Sequence, residues 1–453
     1  MKSGFLSLKI TPPAGVPLAG NAREDSRARG THDELYANYA YLETAAKRHL
    51  FISLDLIGIK KSDADLIKKR ISQLCGLAAE DITIAATHTH SGPNTVEIFK
   101  TYLTPADMRV CADYCVWLVE AVSGAALAAV DAAADSLVGL GHSKVEGYSF
   151  NRRIMTDDGA LRMIFEPYDR GRIDRLAGPN GDTEMHVFVF TDRNERIRGL
   201  IVQYTSHPAV VCGEDWLYTR DYIHALTEEL KNRYSRDVVV LYMNGAQGNQ
   251  VAADPYRPFV TGFAEAERVG KGLALGAARI IDEVLTGGAL FKSLPFASVT
   301  DSVTLPIRTI SREEISRAKK MLSLSEGSVQ LHGLDPRVEA ESILEMAEIR
   351  EKEYTTVIQA IRLGNALILT FPGEVFLEHA HSALEGAPFE DAMIFGLAND
   401  YVGYIPTREA FEEGGYEIKT SYVSSRFAPC AGEALVEACQ RLIGKLVGHA
   451  EAV

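Results

Sequence analysis

The chain has 453 residues, 46% hydrophobic and 24% charged, enough to bury a large core as one domain or as two or three smaller ones. A formal net charge of -14 disfavours non-specific association with nucleic acid or with anionic membrane surfaces. The six cysteines (Cys75, Cys111, Cys115, Cys212, Cys430, Cys439) form no CxxC pair and read as reduced. With no long apolar run at the amino terminus and no window of about 18 uninterrupted apolar residues, a cytoplasmic location is the default expectation.

Residues 10–17 (ITPPAGVP) are turn-rich and lead into a loop holding His32 and Asp33. Residues 48–58 (RHLFISLDLIG) predict a buried strand containing Asp55. Residues 62–75 predict an amphipathic helix with a Ser62/Asp65 capping pattern and Gly76 placed to end it. The next strand, 81–86, runs into Thr87-His88-Thr89-His90-Ser91-Gly92-Pro93. Strand–helix–strand order predicts a parallel pair. Because residues i and i+2 of a strand share a face, His88 and His90 are expected to project together beyond its carboxyl end. They read there as the start of a transition-metal site or as a pair of hydrogen-bonded loop histidines.

Residues 106–134 predict a long helix that covers a sheet rather than crossing a membrane, since Asp113, Glu120 and Asp131 lie within it. Strands are expected over 185–191 and 197–204, the second running into Ser206-His207-Pro208. A helix over 220–234, a strand over 238–243, the polar glycine-rich loop 244–250 (NGAQGNQ) and a helix over 263–285 follow. Thr286-Gly287-Gly288 opens the one internal subdivision, near 286–296. Beyond it come a strand (297–307), charged helices (311–322 and 338–354) and a hairpin (355–370) turning at Gly364-Asn365. Phe371-Pro372-Gly373-Glu374, a helix (375–384), a short strand (393–397), the block 399–407 (NDYVGYIPT) and a last helix (432–447) complete the chain. The expected class is α/β, with mixed β-sheets flanked by helices.

Polar, metal-competent groups recur at four strand exits, where sites gather in sheet-based α/β proteins. Glu374 is expected at a helix start, where free amides and the helix dipole favour an ionised carboxylate. Read singly, Glu374 also fits a helix cap, His207 a core or capping histidine and Tyr404 a strand aromatic.

Taken together, these segments resemble the catalytic domain of the neutral, non-lysosomal ceramidase family. The resemblance runs through Ile10-Thr11-Pro12, ATHTHSGP (86–93), Asn151-Arg152, Ser206-His207-Pro208, NGAQGNQ, FPGE, NDYVGYIPT and Tyr416-Glu417. It implies a neutral-ceramidase-like fold over 1–453 as a single catalytic domain, and one zinc ion held by His88, His207, Glu374 and Tyr404, with Tyr401 the alternative tyrosine. The second histidine of the family's THTH corresponds to His90, its active-site arginine to Arg152 and a further active-site tyrosine to Tyr416. The chemistry is coherent, because two imidazoles and a carboxylate leave zinc positions open for water. Zinc lowers the pKa of that water towards about 7 and polarises a carbonyl, which suits hydrolysis of an amide or ester. A tyrosine oxygen can join because the ion favours its deprotonated form. His90 is expected to move a proton or to hydrogen-bond the developing oxyanion, with Arg152 and Tyr416 orienting the substrate.

Where the ceramidases carry a serine in the corresponding loop, this chain has Gly248, expected to open room for substrate beside Asn249 and Gln250. The chain also stops after the catalytic domain, without the family's carboxyl-terminal immunoglobulin-like domain, and lacks the usual secretion signal. The expected function is therefore a zinc-dependent hydrolase that uses metal-activated water on the C–N bond of a small or N-acyl substrate other than ceramide. No nucleic-acid partner and no stable membrane association are expected. An esterase or lactonase on the same site and a non-catalytic metal- or ligand-binding relative are the alternatives. An amidohydrolase barrel would need an eightfold strand–helix alternation, and a metallo-β-lactamase fold would need HxHxDH where Ser91-Gly92-Pro93 stands.

Overall fold

The computed structural model describes residues 1–23, 25–212, 215–324 and 336–451. Three β-sheets organise them. The first runs Ile82–Ala86, Arg48–Leu54, Tyr36–Glu43, Lys2–Lys9, Ala134–Asp135 in spatial order, and the second Val239–Asn244, Ile197–Tyr204, Glu184–Thr191, Leu137–Lys144. The third runs Phe296–Pro306, Glu353–Leu363, Ala366–Thr370, Asp391–Phe395. Each sheet is antiparallel except for one parallel pair at its edge. A parallel pair needs a long crossover, and a helix supplies it in each case: Lys61–Cys75, Tyr222–Arg233 and Leu377–Leu384. The pair expected from the first strand–helix–strand unit is the first of these.

Each sheet is covered on its outer face by two helices, Lys61–Cys75 with Pro105–Asp131, Tyr222–Arg233 with Phe263–Thr286, and Leu377–Leu384 with Ala431–Glu451. The inner faces meet in a shared core that takes Phe51 from the first sheet, Phe188, Phe190 and Met243 from the second, and Ile361, Ile368 and Phe395 from the third. Burying such side chains stabilises by about 1.5–3 kcal/mol each, which makes the three sheets one packed unit. The helix Pro105–Asp131 is long and apolar enough by composition to cross a membrane. Here it lies on the first sheet through Tyr114, Leu118, Val122, Ala126 and Ala129.

Several local expectations are corrected. The helix Lys61–Cys75 does end at Gly76, whose φ of 63° is the left-handed conformation glycine tolerates. Its start is not capped by Ser62, which lies inside it. Asp400 accepts from the Lys61 backbone N–H at 3.2 Å instead, a cap supplied from far along the chain. The helix expected over 338–354 stops at Glu348, and Glu353 and Tyr354 pair with Pro306 and Leu305 as strand. Lys2–Lys9, Tyr36–Glu43 and Leu137–Lys144 are strands that the residue pattern did not reveal.

The parallel edge strands position the site. Their carboxyl ends join: Ala86 N–H donates to the Leu397 carbonyl at 3.1 Å, Asn399 N–H to Ile84 at 2.6 Å, and Gly396 N–H to Asn244 at 2.8 Å. The segments leaving all three sheets therefore converge on one place.

Candidate metal centre

The first sheet's edge strand ends at Ala86, so strand alternation does not aim the two histidines. His88 instead has φ 72°, a left-handed conformation uncommon outside glycine, and strain of this kind concentrates at functional sites. Its backbone N–H donates to the Leu56 carbonyl at 2.9 Å, fixing the turn. The two rings still converge, edge to face with centroids 5.0 Å apart.

His207 leaves the second sheet and meets His88 at that point. Its Nδ1 faces the Gln247 carbonyl at 2.8 Å, and His88 Nδ1 faces the Ile57 carbonyl at 2.6 Å. A carbonyl only accepts, so each Nδ1 carries a proton, and in the neutral ring each Nε2 presents the lone pair. The two Nε2 atoms lie 3.2 Å apart, and Glu374 Oε2 lies 3.1 Å from that of His207 and 3.2 Å from that of His88. Burial, with the Arg152 charge, pushes the His207 pKa down to about 4, which keeps the ring neutral. Burial alone would raise the Glu374 carboxyl's pKa, but His88 and His207 outweigh it and hold it well below its ordinary value. Three buried donor atoms, His88 Nε2, His207 Nε2 and Glu374 Oε2, thus converge on one point. Atoms spaced like this along tetrahedron edges lie about 2.0 Å from the centre, a zinc–imidazole bond length. The donor set fits zinc.

Glu374 is not at a helix start as expected. It lies in a two-residue parallel pairing, Glu374 with Tyr404 and Val375 with Ile405, and the helix begins only after Phe376. That pairing sets Tyr404 beside the carboxylate, with polar reach to Glu374 and Arg152. Tyr401 donates to Glu374 Oε1 at 2.6 Å. Both tyrosines therefore touch Glu374, Tyr401 bracing its outer oxygen and Tyr404 opening onto the cavity described next. Burial holds both phenols' pKa values well above the ordinary range.

A cavity opens beside this cluster, lined on its polar side by His90, Arg152, His207, Tyr404 and Tyr416. Phe99, Ile164, Phe165, Val210, Phe259 and Val260 are among its apolar lining. Neither ring nitrogen of His90 has a hydrogen-bond partner among the described residues, although both are shielded. Burial and then the nearby His88 and His207 hold its pKa well below the ordinary value, so this ring too is neutral. Gly20 packs against it so closely that a Cβ there would come within 2.5 Å of its backbone and ring base.

Two residues missed in the sequence hold this arrangement. Glu417, fully buried, accepts from Arg152 Nε and from Arg153 Nη1, both at 2.8 Å. Burial would raise its pKa, but the two guanidinium groups outweigh that and lower it. Asn244 Nδ2 donates to the carbonyls of Thr87 (3.2 Å) and Ser206 (3.0 Å), tying the two histidine-bearing segments together. The adjacency of Glu417 to Tyr416 and the place of Asn244 at a strand exit were the available signals.

No protein-family model and no curated protein matches the sequence. Among solved structures, neutral ceramidase from Pseudomonas aeruginosa superposes with a TM-score of 0.71 at 18% identity, covering 100% of this chain and 75% of that one. A ceramidase complexed with C2 gives 0.70 at 17% identity, over 99% and 75% of the respective chains. The chain has the neutral-ceramidase fold. Mixed sheets flanked by helices, the expected class, are what that fold contains.

Within the ceramidase fold, the loop 244–250 departs from its expected role. Gly248 does not open substrate space: a Cβ there would lie 2.5 Å from the Glu374 carbonyl oxygen and 2.8 Å from that of Val375. Its N–H donates to Val375, and its carbonyl accepts from Arg152 at 2.7 Å. Asn249 and Gln250 are fully buried. Asn249 Oδ1 accepts from Leu377 N–H at 3.1 Å, and Gln250 passes its carbonyl to His207. The loop buttresses the cluster, and Gly248, Asn249 and Gln250 are absent from the cavity lining.

Proposed function

We propose that the chain is a metal-dependent hydrolase that cleaves the amide bond of an N-acyl substrate whose apolar part occupies the cavity. One observation carries this reading: the buried His88–His207–Glu374 cluster stands at the polar end of a largely apolar cavity. His88, His207, Glu374 and Tyr404 would hold zinc, and zinc bound there acidifies water and polarises an acyl carbonyl. The fold shared with ceramidases supports amide hydrolysis over other uses of such a site.

The remaining roles fall to the chain's own groups. His90, neutral and without a hydrogen-bond partner among the described residues, accepts a proton from the attacking water and returns it to the leaving amine. Arg152, its position set by Glu417 and the Gly248 carbonyl, orients a substrate oxygen together with Tyr416.

The test is a panel of short water-soluble N-acyl compounds, matching esters and detergent-dispersed ceramide, assayed with zinc-loaded protein. Higher kcat/KM on the short amides supports the reading. Efficient turnover of ceramide alone replaces the substrate class, and turnover of none of the panel overturns the hydrolase.

A further inference from the structure

We propose that His142, His186 and Asp391 form a second divalent-metal site, suited to zinc, that clasps the second sheet to the third. No residue of the cluster described above takes part. His142 and His186 are directly opposite each other on adjacent antiparallel strands, so their side chains leave the same face of the second sheet. Their rings are stacked at 16° with centroids 5.7 Å apart. Asp391, the first residue of its strand, reaches over from the third sheet. One donor atom from each of the three lies within 4.8 Å of the others.

The surrounding hydrogen bonds prepare these atoms as ligands. Gln203 is opposite His186 on its other side, and its Oε1 faces His186 Nδ1 at 3.1 Å. Gln203 Nε2 is turned to Thr205 Oγ1 at 3.4 Å, and that hydroxyl donates to Asp182 at 2.6 Å. His186 Nδ1 is therefore the protonated nitrogen and its Nε2 the free base. Partners of this kind on the far nitrogen are what orient metal-binding histidines. His142 is held less firmly, with Nδ1 3.6 Å from Glu184 Oε2, beyond hydrogen-bond reach, and Nε2 3.5 Å from Asp391 Oδ1. The latter spacing matches the roughly 3.4 Å between neighbouring ligands of tetrahedral zinc.

Asp391 Oδ1 is shielded yet has no hydrogen-bond partner among the described residues, the condition a cation would relieve. An open cleft lined by His142, Asp182, Glu184, His186, Gln203 and Asp391 gives access. Two imidazoles and a carboxylate leave room for water as a further ligand. The consequence is mechanical: a metal here joins two strands from the first half of the chain, Leu137–Lys144 and Glu184–Thr191, to the strand that starts at Asp391.

Zinc binding to chelator-treated protein tests this, with bound metal counted by elemental analysis after gel filtration and affinity measured by titration calorimetry. Work in the His88→Ala background removes the other centre. That protein is expected to bind one zinc per chain, and Gln203→Leu added to it to weaken binding by roughly 10- to 100-fold. His142→Ala or Asp391→Ala should weaken it further. Absence of zinc binding by His88→Ala protein, or binding unchanged by His142→Ala, overturns the proposal. In the otherwise wild-type chain, His142→Ala must lower the zinc count by one, which reads the site even if His88→Ala folds poorly.

Discussion

The Nε2 atoms of His88 and His207 lie 3.2 Å apart while a backbone carbonyl holds the far nitrogen of each ring. Two lone pairs in that position repel, and Glu374 adds a negative charge to the same space. The three donors share one space that a cation would fill. Metal is expected to raise unfolding stability by about 2.7 kcal/mol at a free concentration 100 times its Kd. The gain should disappear in His88→Ala. Thermal unfolding with and without chelator, in a His142→Ala background, measures it, and an equal gain in both proteins would refute the ligand assignment.

His90 tests a different part of the site. It touches the cavity, and no partner among the described residues claims its nitrogens. His90→Ala should keep the metal and lose turnover by about 10²- to 10⁴-fold, the range for removing an acid–base group. Metal loss equal to that of His88→Ala would make His90 a ligand instead.

Gly20 controls the same ring from behind. Its φ of 85° and the 2.5 Å approach to His90 both exclude a side chain. Gly20→Ala should destabilise by about 1–3 kcal/mol through overpacking and displace His90. Urea unfolding gives the first quantity, and kcat at retained zinc content gives the second.

Gly248→Ser is expected to damage the centre rather than to install a nucleophile. The added Cβ meets the backbone of Glu374 itself. Zinc content and kcat should fall together, and a gain in activity from the introduced hydroxyl would contradict the geometry.

Glu417 predicts a pH dependence. Its folded pKa is lowered, chiefly by Arg152 and Arg153 acting against burial. A lowered carboxylate pKa stabilises above the unfolded value, near 4.5, and that contribution is lost as pH falls from there through the folded value. Glu417→Gln leaves two buried guanidinium groups short of a counter-charge and should cost roughly 3–5 kcal/mol at neutral pH. Urea midpoints between pH 3 and 7 should show the wild type losing this advantage only in the acid part of the range.

The parts of the site legible in the sequence were those where a side chain's chemistry alone marks it. THTH, SHP, FPGE and NDYVGYIPT each carried a recognisable donor, and the structure brings His88, His207, Glu374, Tyr404, His90, Arg152 and Tyr416 around one cavity mouth. In the fold, Gly76 and the Gly364-Asn365 turn were readable because left-handed backbone restricts residue choice locally. What stayed hidden depends on contacts distant in sequence. Asp400 caps the helix Lys61–Cys75 from the segment that follows the third sheet's edge strand, Tyr404 draws Glu374 into a strand, and Gly248 is small because Glu374 passes against it. Lys2–Lys9 and Tyr36–Glu43 were missed because what defines them is their antiparallel edge-to-edge pairing, Lys2 with Glu43 through Lys9 with Tyr36, a register that no single segment displays.

The join between the three edge strands has a kinetic consequence. The atoms it gathers are 119 residues apart for His88 and His207, and 167 for His207 and Glu374. Closing such loops costs entropy before any contact rewards it, so these pairings form late and slowly. A nascent chain holding only its first two sheets owns two imidazoles but no carboxylate, and it is poorly equipped to retain an ion. Metal capture should then follow emergence of the third sheet, making zinc uptake a reporter of the final docking event rather than of collapse.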